Sequence, residues 1–207
     1  MEKSFSKPLL VSFLLLFLSL LSWGTPVKRG ATPMEVVKTS NQQVTDLLRG
    51  SSQKMDPVVE KKVFAIIDGV TDFDLLADRV VTTFCPKLKP AQCKEFKQVF
   101  IELIRTSSVK KLGRYRADKF EYLGEEPLQE GVVVKTLAYY KADKVELNYT
   151  LERRAPGAPW KIANYVIDGV DTVRNYKKQF TRLLAQESFE KMIERLKRKI
   201  EEYKADR

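Results

Sequence analysis

Histidine does not occur in the 207 residues, and its absence removes Ser-His-Asp and Cys-His nucleophilic catalysis together with most zinc sites. No glycine-rich phosphate loop is present either. Few groups remain that could do chemistry. Asp68, Asp72 and Asp74 put three carboxylates within seven positions, a density that could hold a hard cation. The run lacks the turn glycine and distal Glu of a calcium loop, and helix capping accounts for two of the three, so no metal is expected. Asp168 and Tyr149 could pair as carboxylate base and tyrosine in an enzyme of cone-shaped α+β fold acting on an apolar substrate. Asp168 and Asp171 also bracket Gly169, where a strand-end turn followed by a helix cap explains both. Asn148-Tyr149-Thr150 matches a glycosylation sequon, set in the middle of a strand pattern. No catalytic residue stands out.

The two cysteines, Cys85 and Cys93, are eight positions apart around Pro86 and Pro90. Without histidine they make a poor metal site, and their spacing is wrong for a redox motif. In an oxidising compartment they are expected to form a disulfide that clips a short turn.

The compartment follows from the first residues. Lys3 and Lys7 form a positive n-region, and Leu9 to Leu21 is apolar except for Ser12 and Ser19. That run suits a signal-peptide core and is too short to span a bilayer comfortably. Ser22 and Gly24 place cleavage after Gly24, so residues 1–24 are expected to be a signal peptide and 25–207 one domain. An uncleaved anchor, with Lys28 and Arg29 as its stop, is the competing reading. No cysteine follows the apolar run to accept a bacterial lipid anchor. The formal charge is +10, of which the leader carries +1. Such an excess favours anionic partners, and export sets nucleic acid aside.

The elements that must position these groups are legible from periodicity. Thr32-Pro33 and Asp56-Pro57 each give a helix start. Met34, Val37, Val44, Leu47 and Leu48 form the apolar stripe of the first helix, stopped by Gly50, with Ser51 to Lys54 a polar loop. Val58, Val59, Val63, Phe64, Ile66 and Ile67 form that of the second, stopped by Asp68-Gly69. Asp72 or Asp74 caps a third helix, and a long fourth runs from about Pro90 to Ser108, with a last turn around Val109, Leu112 and Tyr115. The period then switches to two. Strands are expected at Phe120–Leu123, from Gly131 to Tyr140, from Lys144 to Glu152 and from Trp160 to Ile167. Asp168-Gly169 ends the sheet, and helices follow from near Asp171 and from Ser188 to about Tyr203. The expectation is an α+β fold: a helical part at 33–115, a curved four-stranded antiparallel sheet at 119–168 and C-terminal helices at 171–204. About six to seven helices would cover one face of the sheet.

The rest is apolar surface, which is either packed core or the wall of a cavity for an apolar ligand. Periodicity does not separate the two. Trp160-Lys161-Ile162-Ala163-Asn164-Tyr165-Val166-Ile167-Asp168-Gly169-Val170, followed by Asn175-Tyr176-Lys177-Lys178-Gln179-Phe180, resembles the C-terminal signature of the MlaC-type periplasmic lipid carriers, the toluene-tolerance auxiliary family. Thr71-Asp72-Phe73-Asp74-Leu75-Leu76-Ala77 is similar to that family's Phe-Asp-Phe helix start, and Pro90-Ala91-Gln92-Cys93-Lys94-Glu95-Phe96 to the opening of its long helix. Asn164 departs from the usual Asp, Cys85 stands near where an aromatic is usual, and the cysteine pair is not a general family feature.

The resemblance implies a monomeric periplasmic carrier in a Gram-negative bacterium that takes phospholipid acyl chains into an apolar pocket. It would hold no cofactor beyond this cargo. It would exchange the lipid with the MCE-domain subunit of an inner-membrane ABC transporter and with an outer-membrane lipoprotein, supporting outer-membrane lipid asymmetry. The expected lining is Phe73, Leu76, Val80, Phe100, Leu103 and Ile104 from the helices, with Val134, Leu147, Tyr149, Ile162, Val166, Val170, Val173 and Phe180 from the sheet and last helices. A periplasmic chaperone or adaptor with a surface groove is a third reading, beside carrier and enzyme.

Overall fold

The computed structural model describes residues 30–49, 55–114 and 116–205. The expected signal peptide, Gly50, the 51–54 loop and Tyr115 lie outside the described residues. Helices α1 (Pro33–Leu48), α2 (Pro57–Val70), α3 (Phe73–Val81) and α4 (Pro90–Arg114) come first, with a short 3-10 turn at Cys85–Lys87. Strands β1 (Lys119–Leu128), β2 (Gly131–Tyr140), β3 (Asp143–Glu152), β4 (Lys161–Ile167) and β5 (Val170–Asp171) follow, and α5 (Thr172–Gln186) and α6 (Phe189–Ala205) close the chain.

Polar caps set the helix starts. Thr32 Oγ1 accepts from Glu35 N at 3.2 Å while Thr32 N donates to Glu35 Oε2 at 2.7 Å, a reciprocal capping box. Asp56, Asp72, Asp171 and Ser188 accept from Val58 N, Leu75 N, Arg174 N and Lys191 N in the same manner. Of the two possible caps for α3, it is Asp72 that serves. The final turn expected after Ser108 is not separate, because α4 continues through it to Arg114.

The sheet is an antiparallel meander in the order β1-β2-β3-β4-β5, with five strands where four are expected. The fifth arises at Asp168-Gly169. Both residues have positive φ, 47° and 76°, and Ile167 pairs with Val170 across them. This is the two-residue Asp-Gly hairpin, whose twist matches that of its strands. The turn therefore folds the chain back for two residues instead of ending the sheet. β1 is also longer than expected, because a bulge between Tyr122 and Gly124 lets pairing with β2 continue to Leu128. Asn148 of the sequon is buried and holds neighbouring strands together, its Oδ1 accepting from Thr136 N at 3.2 Å.

α4 is the axis of the helical layer and packs on α2, α3 and α6. Around it lies an aromatic cluster. Phe96 meets Phe84 and Phe180 edge-on, each at 4.9 Å, and Phe100 meets Tyr176 at 5.2 Å. Cys85 and Cys93 form the expected disulfide, with Cα atoms 5.4 Å apart, joining the 3-10 turn to the first turn of α4.

Two glycines in different surroundings should respond oppositely to a methyl group. Gly131, with φ of +131°, opens β2 so close to β3 that an added Cβ would run into the Leu151 carbonyl and stand 2.7 Å from Glu152 Cγ. Gly131→Ala should therefore lower stability by about 1–3 kcal/mol in a denaturant titration. Gly69→Ala, in α2 with open space around it, should stabilise by about 0.5–1 kcal/mol. Equal effects would contradict the close approach of β2 to β3 at Gly131. Replacing both Cys85 and Cys93 by Ser should cost roughly 2–3 kcal/mol through the unfolded chain; an unchanged denaturation midpoint would show that the bridge adds nothing.

Candidate functional site

The expected lining residues divide between two apolar clusters. Leu76, Val80, Phe100, Leu103, Ile104 and Phe180 are buried in the helical cluster, with Phe73 and Val173 packed against it. Val134, Tyr149 and Ile162 are buried in a second cluster on the sheet, with Leu147 against it and Val37 of α1 above. Tyr165 packs on both clusters and marks the seam between them.

Register explains the sheet side. Val134 is opposite Tyr149, and Tyr149 is opposite Tyr165, so the three form one row across β2, β3 and β4. The next row is Val132, Leu151 and Ile162. Ile162 and Tyr165 are three residues apart, which in a regular strand would put them on opposite faces. A bulge intervenes: Thr150 pairs with Asn164 and Leu151 with Ile162, leaving Ala163 as the extra residue. Both side chains therefore reach the covered face.

Two of the expected lining residues belong elsewhere. Val166 pairs with Asn148, one position on from the Tyr149–Tyr165 pair, and so points to the opposite face of the sheet. Val170 is 53% exposed on β5, because the hairpin carries it out of the layer.

The wall of the seam holds hydroxyl groups as well as apolar carbon. Tyr149 Oη donates to Asn41 Oδ1 of α1 at 3.0 Å. Tyr165 Oη lies 2.8 Å from Thr71 Oγ1, and the two tyrosine rings meet edge-on at 5.8 Å. Asn41 Nδ2 is buried with no hydrogen-bond partner among the described residues. Burial pushes the Tyr149 hydroxyl far up and the Tyr165 hydroxyl up to about 12. Both stay neutral near pH 7 and can give or take hydrogen bonds without exchanging charge.

Sequence reasoning missed Asn41, Thr71 and Tyr165 as members of this wall. A signal existed for Asn41, which stands four residues after Val37 on the apolar stripe of α1, where a polar side chain breaks the pattern.

The enzyme pair is not assembled. Tyr149 sits opposite Tyr165, three residues before Asp168, an offset of about 10 Å along the strand. Asp168 is exposed, and its Oδ1 accepts from Glu146 N at 2.9 Å. The carboxylates near α3 are likewise engaged. Asp68 pairs with Arg105, and Asp72 caps α3 while binding Arg154 twice at 2.6 Å. Among the described residues no three acidic or cysteine side chains converge as a metal site would require.

At the edge of the helical layer, a cleft of about 350 Å³ lies between α3, β4 and the start of α5. Arg79, Arg174 and Lys177 face it with Asp171, Asn164, Thr82 and Val173. Buried Asn164, where the resemblance expects Asp, ties this corner together. Its Oδ1 accepts from Val173 N at 3.1 Å and its Nδ2 donates to Asp171 Oδ2 at 2.9 Å.

No curated protein matches the chain. Among solved structures, the phospholipid-binding protein from Ralstonia solanacearum in complex with a phospholipid superposes with a TM-score of 0.67. The two are 21% identical, and the match covers 84% of this chain and 99% of that one. At that identity the likeness establishes the fold. The MlaC protein family matches residues 38–198, from within α1 to within α6 and well over half of the sequence, and the chain belongs to that family.

Proposed function

We propose that the protein is a periplasmic carrier that accepts the acyl chains of a phospholipid at the seam between sheet and helices. The supporting observation is that the helical and sheet clusters, two of the three into which the buried apolar residues divide, pack separately and meet at Tyr165, in a fold shared with a protein solved with a phospholipid. Acyl chains entering there have Leu76, Val80, Val173 and Phe180 on one side and Val134, Leu147, Tyr149 and Ile162 on the other. The buried Asn41 Nδ2 donor suits an ester carbonyl at the top of the chains.

Burial of each methylene contributes roughly 0.8 kcal/mol. A lipid therefore needs such a container to cross an aqueous gap. Family membership supports the wider circuit: delivery to or from the MCE-domain subunit of an inner-membrane ABC transporter and an outer-membrane lipoprotein, with outer-membrane lipid asymmetry as the outcome. The carrier acts as a monomer, cleaved after Gly24, and no residue of it is catalytic.

Native mass spectrometry of the exported protein should show one phospholipid per chain. A chain that is lipid-free and takes up none from vesicles would overturn the proposal. The location is tested by filling the seam. Val134→Trp adds bulk at a fully buried position of the sheet cluster and should lower lipid occupancy several-fold with the far-UV spectrum unchanged. Met192→Ala, in α6, should cost about 2–5 kcal/mol in stability yet leave occupancy as it was. The reverse pattern would move the acyl chains into the helical cluster.

A further inference from the structure

The last two helices are both rich in Lys and Arg, but they handle the charge differently. On α6, Arg195 pairs with Glu187, Lys197 with Glu95, Lys199 with Glu202, and Lys204 with Glu201 and Glu102. α5 carries Arg174, Lys177, Lys178 and Arg182 and no acidic residue. Arg174, Lys178 and Arg182 recur at every fourth position, on the outer side of the helix. Among the described residues none of the three has a carboxylate partner.

This arrangement works against the helix. Like charges four residues apart face one another about 5–6 Å apart and destabilise it, inside the screening length of about 8 Å at physiological salt. Arg174 also stands in the first turn, where the helix dipole disfavours a cation. The remaining exposed positions on α5 include Asn175, Gln179, Thr181 and Ala185. None is an aromatic or large aliphatic anchor of the kind that centres a protein–protein interface.

We infer that the Arg174–Lys178–Arg182 stripe, about 12 Å long at the helical rise, is a docking surface for an anionic bilayer. A headgroup layer offers negative charge without pockets, and a patch built of charge alone matches it. Such docking is reversible and salt-sensitive. The inference goes beyond the carrier reading and does not depend on it, since vesicle docking is measured whether or not the interior holds lipid.

The test is co-sedimentation of the full exported chain with vesicles of phosphatidylcholine alone or with a third of phosphatidylglycerol. The wild type should bind only the anionic vesicles and be released by high salt. Each cation at the surface multiplies partitioning by about fivefold, so the Arg174→Gln, Lys178→Gln, Arg182→Gln triple variant should bind about a hundredfold more weakly. Its melting temperature should be unchanged or raised, because the repulsion is gone. A control with Lys61, Lys62 and Lys144 changed to Gln removes the same charge elsewhere and should retain most of the binding. Equal losses in the two variants, or none in the first, would overturn the inference. A wild type indifferent to anionic vesicles would also overturn it, and would assign the stripe to an acidic protein surface.

Discussion

Thr71 and Asp72 join the two layers of the molecule, and most of the architecture depends on how they do it. Thr71 caps the end of α2, its N–H donating to Ile67 O at 2.9 Å, and forms an isolated bridge with Ile162 of β4. Asp72 N donates to Ile162 O at 2.9 Å, while its carboxylate caps α3 and binds Arg154 of the β3–β4 loop. Arg154 holds that carboxyl below the usual carboxylate range, so it is charged at neutral pH. Two residues thus stop one helix, start the next and add a strand-like contact to the sheet. Thr71 Oγ1 in addition sits against the Tyr165 hydroxyl, at the seam between the two apolar clusters.

The sequence is most legible where a local rule acts alone. Helix starts at Thr32, Asp56, Asp72 and Asp171 follow from a capping side chain bonding backbone N–H groups two or three residues ahead. The switch from helical to alternating periodicity after α4 places the sheet, and the closely spaced cysteines give their bridge. The family signature lies in the same stretch, since Trp160 to Val170 covers β4, its hairpin and the first residue of β5.

Legibility fails where two rules compete. Asp168-Gly169 is both a strand stop and a hairpin signal, and backbone twist decides for the hairpin. That outcome turns Val170 outward. Val166 escapes a reading by simple alternation because the bulge at Ala163 breaks the period that a strand otherwise keeps. Ile162 and Tyr165 share a face, and Val166 does not. Core and cavity wall are inseparable in sequence for a different reason: both require the same apolar residues at the same spacing. Phe100 and Phe180 meet at 5.5 Å in an aromatic cluster, a fact about three dimensions that no periodicity contains.

The interior is divided among three clusters, and the boundary between the helical and sheet clusters bears on how such an interior could accept a guest. A single jigsaw core opposes insertion, because every added methylene displaces several packed neighbours. Between the helical layer and the sheet the hydrogen bonds include Asp72 N to Ile162 O, the Tyr165–Thr71 pair, Arg79 to Glu152 and the paired bonds from Arg154 to Asp72. Tyr149 binds Asn41 of α1 on the sheet cluster's own side. Such contacts hold the layers together at about 1 kcal/mol net for each neutral bond, whereas an acyl chain of some sixteen carbons would gain roughly 12 kcal/mol on leaving water. The neutral Tyr149 and Tyr165 hydroxyls beside the boundary can exchange their protein partners for other hydrogen-bonding groups without any change of charge.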